Sequence, residues 1–319
     1  MPSAQPEESR DGVKLTNLDD QLFDGAGATK RDLVNYLDGV ADRILPELYD
    51  RPLSVIRVHR GQEAFMQKNV PKYTPEWVHT VPIWAEASKR EVSYALCNDR
   101  RTLLWFANQR AIEYHPALAR VNRPDRITHL VLDLDPPEGA NFATVVRVAH
   151  LVRHALDQLA LVGAVKTSGA KGIHVFVPIV SAVAPEDAAA AVRGIAARVE
   201  QLDPGVATTA FIKDERDGKV FVDSTRVGGA TVISAFSPRM RPGVPVSFPV
   251  AWTDLDRISP ADFTVHNALT QLGDSNPWAD QMVAAQPVSA DLIAEGHAIP
   301  VARVRAMHEG KRRARASKE

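Results

Sequence analysis

Apolar and polar positions change their period several times along the chain, and each change marks an element. Thr29 is placed as a helix N-cap with Asp32 three residues on. Beyond it Leu33, Leu37, Val40, Ile44 and Leu45 recur on one helical face. The pattern predicts strands over 53–58 and 94–96, a short helix over 101–109, and a mixed, proline-bearing stretch over 77–84. An apolar strand over 127–135 precedes a helix that starts near Asn141, with Val145, Ala149, Val152, Leu156 and Leu159 on one face. Next come a strand over 164–167, a glycine-bearing turn and a strand over 173–179. Pro185 opens a helix reaching about Leu202, and residues 219–223 form a further strand. The remainder is proline-rich and then short-helical. Strands alternating with helices around one hairpin imply an α/β chain with mixed sheets.

Composition narrows the class without naming a chemistry. The 319 residues are 45% hydrophobic and 24% charged, as in soluble globular proteins. One cysteine, Cys97, excludes an intrachain disulfide and a cysteine-based zinc cluster. No apolar run is long enough to span a bilayer, so a cytoplasmic location, at the nucleoid, is expected. Residues 1–12 are polar and read as a disordered lead-in, residues 13–305 as a single domain, and residues 306–319 as a basic tail around Lys311-Arg312-Arg313. The net charge of −1 does not advertise nucleic-acid binding, so the distribution of charge matters more than its sum.

Chemistry concentrates in three places. The strand His129-Leu130-Val131-Leu132-Asp133-Leu134-Asp135 ends at Pro136-Pro137. Alternate residues of a strand share a face, roughly 7 Å apart. Asp133 and Asp135 therefore project together, away from Leu130, Leu132 and Leu134. Two adjacent carboxylates repel unless a cation stands near them, and a hard divalent ion suits oxygen donors. For an isolated Asp-x-Asp, a pair of solvated acids at a strand end is the better reading, so the balance is tipped from elsewhere in the chain. A third acid, Asp223, ends Lys219-Val220-Phe221-Val222 in the same way. Between them lies Ser168-Gly169-Ala170-Lys171-Gly172-Ile173-His174, whose glycines expose backbone N–H groups and whose Ser, Lys and His add donors for a triphosphate.

In this order, Asp-Leu-Asp-Pro, Ser-Gly-x-Lys-Gly-x-His and Phe-Val-Asp closely resemble the three catalytic motifs of the archaeo-eukaryotic primase superfamily. Within it the chain is most similar to the polymerase domain of bacterial ligase D of non-homologous end joining and its stand-alone relatives. The resemblance extends over Leu15-Thr16-Asn17, Thr29-Lys30-Arg31-Asp32-Leu33, Arg51-Pro52-Leu53, Gln67-Lys68-Asn69-Val70-Pro71 and Glu113-Tyr114-His115-Pro116. It continues through Ser237-Pro238-Arg239, Trp252-Thr253-Asp254-Leu255 and Phe263-Thr264-Val265.

The resemblance implies a primase-polymerase core of mixed sheets flanked by helices, with an RRM-like catalytic half. It implies template-dependent addition of NTPs or dNTPs to a primer 3′-hydroxyl at gaps or broken ends, with ribonucleotides favoured. Asp133, Asp135 and Asp223 would hold two Mn²⁺ or Mg²⁺ ions. Ser168, Lys171, Gly172, His174, Arg226, Arg239 and His115 would contact the nucleotide. Lys30, Phe65 and Lys68 would contact DNA, Phe65 by stacking worth about 1–3 kcal/mol. Implied partners are gapped or broken DNA, a nucleoside triphosphate, a separate ligase and an end-binding repair protein, since no ligase or nuclease motif is present.

Two departures stand out. Asp20 occupies a position where the family commonly has a lysine for a 5′-phosphate, so capture of that phosphate is expected to be weak although Lys30 is retained. The family's paired aromatics are here Phe65-Met66, with Met66 expected in the core. A non-catalytic DNA-end-binding scaffold and an Asp-x-Asp phosphohydrolase are the alternative functions; the three acids argue against the first and the Ser-Gly-x-Lys-Gly-x-His turn against the second.

Overall fold

The computed structural model describes residues 8–86, 89–180, 183–227 and 231–301. It opens with a hairpin, β1 (Glu8–Arg10) and β2 (Val13–Leu15), then two helices, α1 (Lys30–Gly39) and α2 (Ala41–Leu48). Residues 8–12, expected in a disordered lead-in, are thus ordered. Arg10 explains it by bridging Glu8 at 2.6 Å and Asp38 of α1 at 3.0 Å, which ties the strand to the helix. Residues 1–7 and the basic tail fall outside the described residues.

The Thr29 capping box is formed as expected: the Asp32 N–H donates to the Thr29 hydroxyl while the Thr29 N–H donates to Asp32 at 2.7 Å. Leu33, Leu37, Val40 and Ile44 are all buried. The expected single helix is nevertheless broken at Val40, which leaves helical geometry and caps α1 while opening α2.

The first sheet is built from β3 (Pro52–Arg57), β4 (Phe65–Gln67), β5 (Thr80–Ala85) and β6 (Arg90–Leu96). After α3 (Arg100–Asn108), β7 (Ala111–Pro116) pairs with β3, giving the order β4-β3-β6-β5 with β7 beside β3. β5 corrects the mixed reading of 77–84. Its Pro82 obscured a strand pattern, and a proline is tolerated there because β5 is the edge strand.

The second sheet takes in β8 (His129–Asp135), β9 (Ala164–Thr167), β10 (Ile173–Pro178), β11 (Ala207–Thr208) and β12 (Val220–Asp223), in the order β11-β12-β8-β10-β9. All its pairings are antiparallel except β11 with β12. Its helices are α4 (Phe142–Gln158), capped by the Asn141 side chain, and α5 (Pro185–Leu202). Both pack against β8, with Val145, Ala149, Val152 and Leu156 of α4 buried as the periodicity requires. Short helices α6 (Ala268–Leu272), α7 (Pro277–Gln281) and α8 (Ala290–Ala298) close the described chain, and α8 packs on α5. A continuous buried cluster runs from Val13 to Leu292 through both sheets. Burial of each such Leu or Val side chain is worth about 1.5–3 kcal/mol before entropy is counted. No helix among the described residues is long and apolar enough to cross a membrane.

Replacing Thr29 by Ala removes one acceptor of the capping box and frees the start of α1. We expect a loss of about 1 kcal/mol, seen as a lower urea midpoint with an unchanged slope.

Candidate active site

Strand pairing assembles the site. β8 is central, with β12 on one side and β10 on the other, and the register sets Asp223 and His174 directly opposite Asp133. His174 is in turn opposite Lys166 on β9. Directly opposed residues share a face with Cβ atoms about 5 Å apart. Asp223, Asp133, His174 and Lys166 therefore form a row across four strands. Asp135 joins the same face two residues beyond Asp133, while Leu130, Leu132 and Leu134 are buried on the other.

Cations neutralise the acids of this row. The Arg226 Nε lies 2.9 Å from Asp133 Oδ2 and 3.2 Å from Asp223 Oδ2. His174 Nε2 lies 3.2 Å from Asp133 Oδ1, and Arg216 stands 3.5 Å from Asp135. Asp223 also accepts the Thr225 N–H at 2.8 Å. Burial disfavours a charge on Asp133, but His174 and Arg226 outweigh it and hold the carboxyl well below the usual range. Asp135 moves the other way, raised by burial and by the neighbouring Asp133 charge. Burial and the Lys166 charge bring His174 down to about 4, so its ring is neutral at pH 7.

The expected metal triad is brought together only in part. Among the described residues no three His, Cys, Asp or Glu side chains form a group that could hold a metal ion as placed. Arg226 stands between two of the acids instead. The donors are carboxylate oxygens on one sheet face, and that set suits Mg²⁺ or Mn²⁺ in preference to softer metals.

The glycine-bearing turn is shaped by its own serine. Ser168 Oγ accepts the N–H groups of Ala170 at 3.2 Å and Gly172 at 3.0 Å, while Gly169 takes a positive φ of 67°. Gly172 has a second reason to be glycine: a Cβ there would sit 2.2 Å from the Leu134 carbonyl oxygen. The turn thus lies directly on the acid-bearing strand. Lys171 is exposed at the cavity rim, 4.0 Å from Glu138.

A third set of polar groups comes from outside the second sheet. His115 of β7 meets Glu113 at 2.9 Å, and Arg239 lies 3.2 Å from the other Glu113 oxygen and donates to the Ser168 carbonyl at 3.2 Å. Glu113 also accepts the Met240 N–H at 2.9 Å. Burial alone would raise its carboxyl, but the His115 bond, Arg239 and the Met240 N–H lower it. Glu113 was not anticipated as a site residue. The signal available was its position two residues before His115 on one strand face. Around these groups lies a cavity of about 230 Å³, lined by His115, Asp133, Asp135, Ser168, Lys171, Gly172, His174, Arg226, Arg239 and also Arg241, with Thr231 and the apolar Val232 and Ile233 completing its wall.

Residues 29–278 match the family model described as LigD, primase-polymerase domain. The chain belongs to that family. It is 32% identical over 293 residues to the multifunctional non-homologous end joining DNA repair protein LigD of Mycobacterium tuberculosis, covering 88% of this chain and 38% of that one. The bifunctional non-homologous end joining protein LigD of Bacillus subtilis is 30% identical over 265 residues, covering 82% and 42%. The chain therefore spans about two fifths of these relatives. Among solved structures it resembles the polymerase domain of M. tuberculosis ligase D in complex with DNA, with a TM-score of 0.78, 32% identity, and 86% of this chain and 98% of that one covered.

The residues expected to contact DNA lie apart from the LigD-type cavity. Lys30 is only 2% exposed, and its Nζ donates to the Thr16 carbonyl. Burial and the nearby Arg110 lower it to about 8. Asp20 does not stand free: it pairs with Arg110 at 2.8 Å and lies 3.8 Å from Arg60. Phe65 is on β4, stacked on His59 at 5.2 Å, and Lys68 just beyond it is exposed. Met66, expected in the core, is 47% exposed because the short β4 buries only Gln67.

A methyl group at Gly172 must push the turn off β8. We expect Gly172→Ala to cost about 1–3 kcal/mol in chemical denaturation and to weaken nucleotide binding measured by titration calorimetry.

Proposed function

We propose that the chain is a template-dependent nucleotidyltransferase that extends a primer 3′-hydroxyl with ribo- or deoxynucleotides at short gaps or broken DNA ends in non-homologous end joining. The observation that carries this reading is the register-aligned row of Asp223, Asp133 and His174, of which Asp133 and His174, with Asp135, line a cavity shared with Lys171, Arg226, Arg239 and Arg241. Acids and cations that line one cavity suit a polyphosphate substrate held together with divalent ions.

In this reading Asp133, Asp135 and Asp223 hold two Mn²⁺ or Mg²⁺ ions. Bound there, such ions lower the pKa of the attacking hydroxyl and neutralise charge on the leaving oxygens. Arg226 pairs with two of the acids, so a divalent cation competes with it for them. The other side chains bind and orient. Lys171, His174 and Arg239 donate to phosphate oxygens, and the Ser168 hydroxyl, already accepting two turn N–H groups, still has its own proton to give. Glu113 holds His115 and Arg239 at fixed positions at the cavity edge. None of these contacts reads a base, which leaves sequence to the template strand. Phe65 and Lys68 supply an exposed aromatic and a cation for that strand, and a separate ligase seals the product.

Extension of a labelled primer on gapped DNA, with Mn²⁺ and either rNTPs or dNTPs, tests this reading. We expect incorporation that falls at least about a hundredfold in Asp133→Ala and in Asp135→Ala. Absence of incorporation on any template, with release of phosphate from a monoester, would instead favour the phosphohydrolase.

The corner formed by Lys30, Asp20 and Arg110 bears on the DNA end. Lys30 is engaged with Thr16 and Arg110 with Asp20, so neither cation stands unpaired. We expect a 5′-phosphate across the gap to raise extension by less than about threefold, since one exposed charge contact is worth under about 1 kcal/mol. Strong stimulation that is lost in Lys30→Ala would show that the lysine reaches the phosphate.

A further inference from the structure

Lys166 is fully buried at the end of the charged row and does not line the cavity. Its Nζ lies 2.9 Å from His174 Nδ1 and 2.6 Å from Ser247 Oγ. The Ser247 hydroxyl donates onward to the Thr167 carbonyl at 2.9 Å, so it can only accept from the lysine. On the far side of the ring, Nε2 faces Asp133 at 3.2 Å. Asp133 is ion-paired with Arg226 and is therefore a carboxylate, which only accepts. The proton must then sit on Nε2. Nδ1 is left with a lone pair, and the Lys166 amine supplies the N–H that satisfies it.

We propose that Lys166 is a positioning residue for nucleotide binding: it acts through His174, fixing the ring as the Nε2–H tautomer and holding that N–H against Asp133 at the cavity wall, where an incoming phosphate oxygen shares it. The proposal rests on the phosphate-contacting role given to His174 above. An imidazole offers its two nitrogens to opposite sides, and a donor at one fixes the proton at the other. Partners of this kind, which never touch the ligand, orient the residue that does. Strand pairing makes the contact rigid, because Lys166 and His174 are directly opposite on β9 and β10. Phe176, two residues beyond His174, packs against both the lysine, at 5.4 Å, and the His174 ring, at 6.4 Å. Without access to solvent, the lysine spends one polar contact on this ring and the other on Ser247, which anchors it in place.

The test uses the full chain labelled with ¹⁵N-histidine, with the His174 signals assigned by their loss in His174→Gln. Long-range ¹H–¹⁵N spectra of the wild type should show a protonated Nε2 and an unprotonated, hydrogen-bonded Nδ1. In Lys166→Met, which keeps the length of the side chain, the ring should lose the single Nε2–H tautomer. The KM for the incoming nucleotide should then rise about tenfold while kcat changes by less than about threefold. If that variant does not fold, Ser247→Ala, which removes the lysine's second anchor, should move the His174 signals in the same direction. A wild-type spectrum with the proton on Nδ1 would overturn the proposal, as would a folded Lys166→Met protein with an unchanged tautomer and KM. The spectrum needs no catalysis. A protein that incorporated no nucleotide would thus sink the polymerase reading and still leave the contact of Lys166 to be decided.

Discussion

Electrostatic repulsion among three carboxylates on one face of one sheet is the constraint around which this structure is arranged. At about 5 Å, two like charges cost roughly 3 kcal/mol at an effective dielectric of 20, and burial adds to that. The sheet meets the cost by alternation. The row runs acid, acid, base, base across β12, β8, β10 and β9, and Arg226 closes the gap between the two acids. Neutralisation is not uniform. Asp133 has the Arg226 guanidinium and the His174 N–H beside it and is held well below the usual carboxylate range, whereas Asp135 is raised by burial and by the Asp133 charge. One strand thus presents two carboxylates with opposite tendencies to bind a proton.

The rest of the fold keeps that row in place. Leu130, Leu132 and Leu134 anchor β8 in the core beneath α4 and α5, so the acids cannot rotate inward without exposing three leucines. Gly172 lets the phosphate-facing turn rest on the Leu134 carbonyl. The first sheet contributes through β7, which places His115 at the cavity and Glu113 behind it. Glu113 reaches His115 on its own strand, Arg239 from the loop after β12, and the Met240 backbone. The cavity therefore lies where the two sheets meet, and its walls are set by pairing and burial in both.

Much of this was legible in the residues. The i and i+2 spacing of Asp133 and Asp135, the glycine positions in the turn and the apolar faces of α1 and α4 are local patterns, and strand and helix geometry converts them directly into structure. What escaped was set by strand register and by distant partners. Lys166 stands only eight residues before His174, yet that its amine meets the ring depends on the register of β9 against β10 across the turn. Glu113 escaped because its partner Arg239 is far along the chain. Arg226 was expected at the nucleotide and is found between acids, a placement that needs the β8–β12 pairing. The strand at β5 was hidden by Pro82, and the ordered start at β1 by its polar composition, which makes sense only once Asp38 is known to lie beside Arg10.

The two ends of the site differ in how their cations are used. Around the cavity, Lys171, Arg239 and Arg241 face space into which a phosphate can enter, and their pairing is partial. At the α1 corner the cations are consumed internally: Lys30 by the Thr16 carbonyl and Arg110 by Asp20 and the carbonyls of Gln21 and Leu22. A charge already paired in the fold contributes to a ligand only the difference between its new partner and its old one. Under the reading proposed here, the binding energy of this chain is therefore concentrated on the incoming nucleotide, and the broken end must be presented to it chiefly by base pairing and by the exposed surface around Phe65 and Lys68.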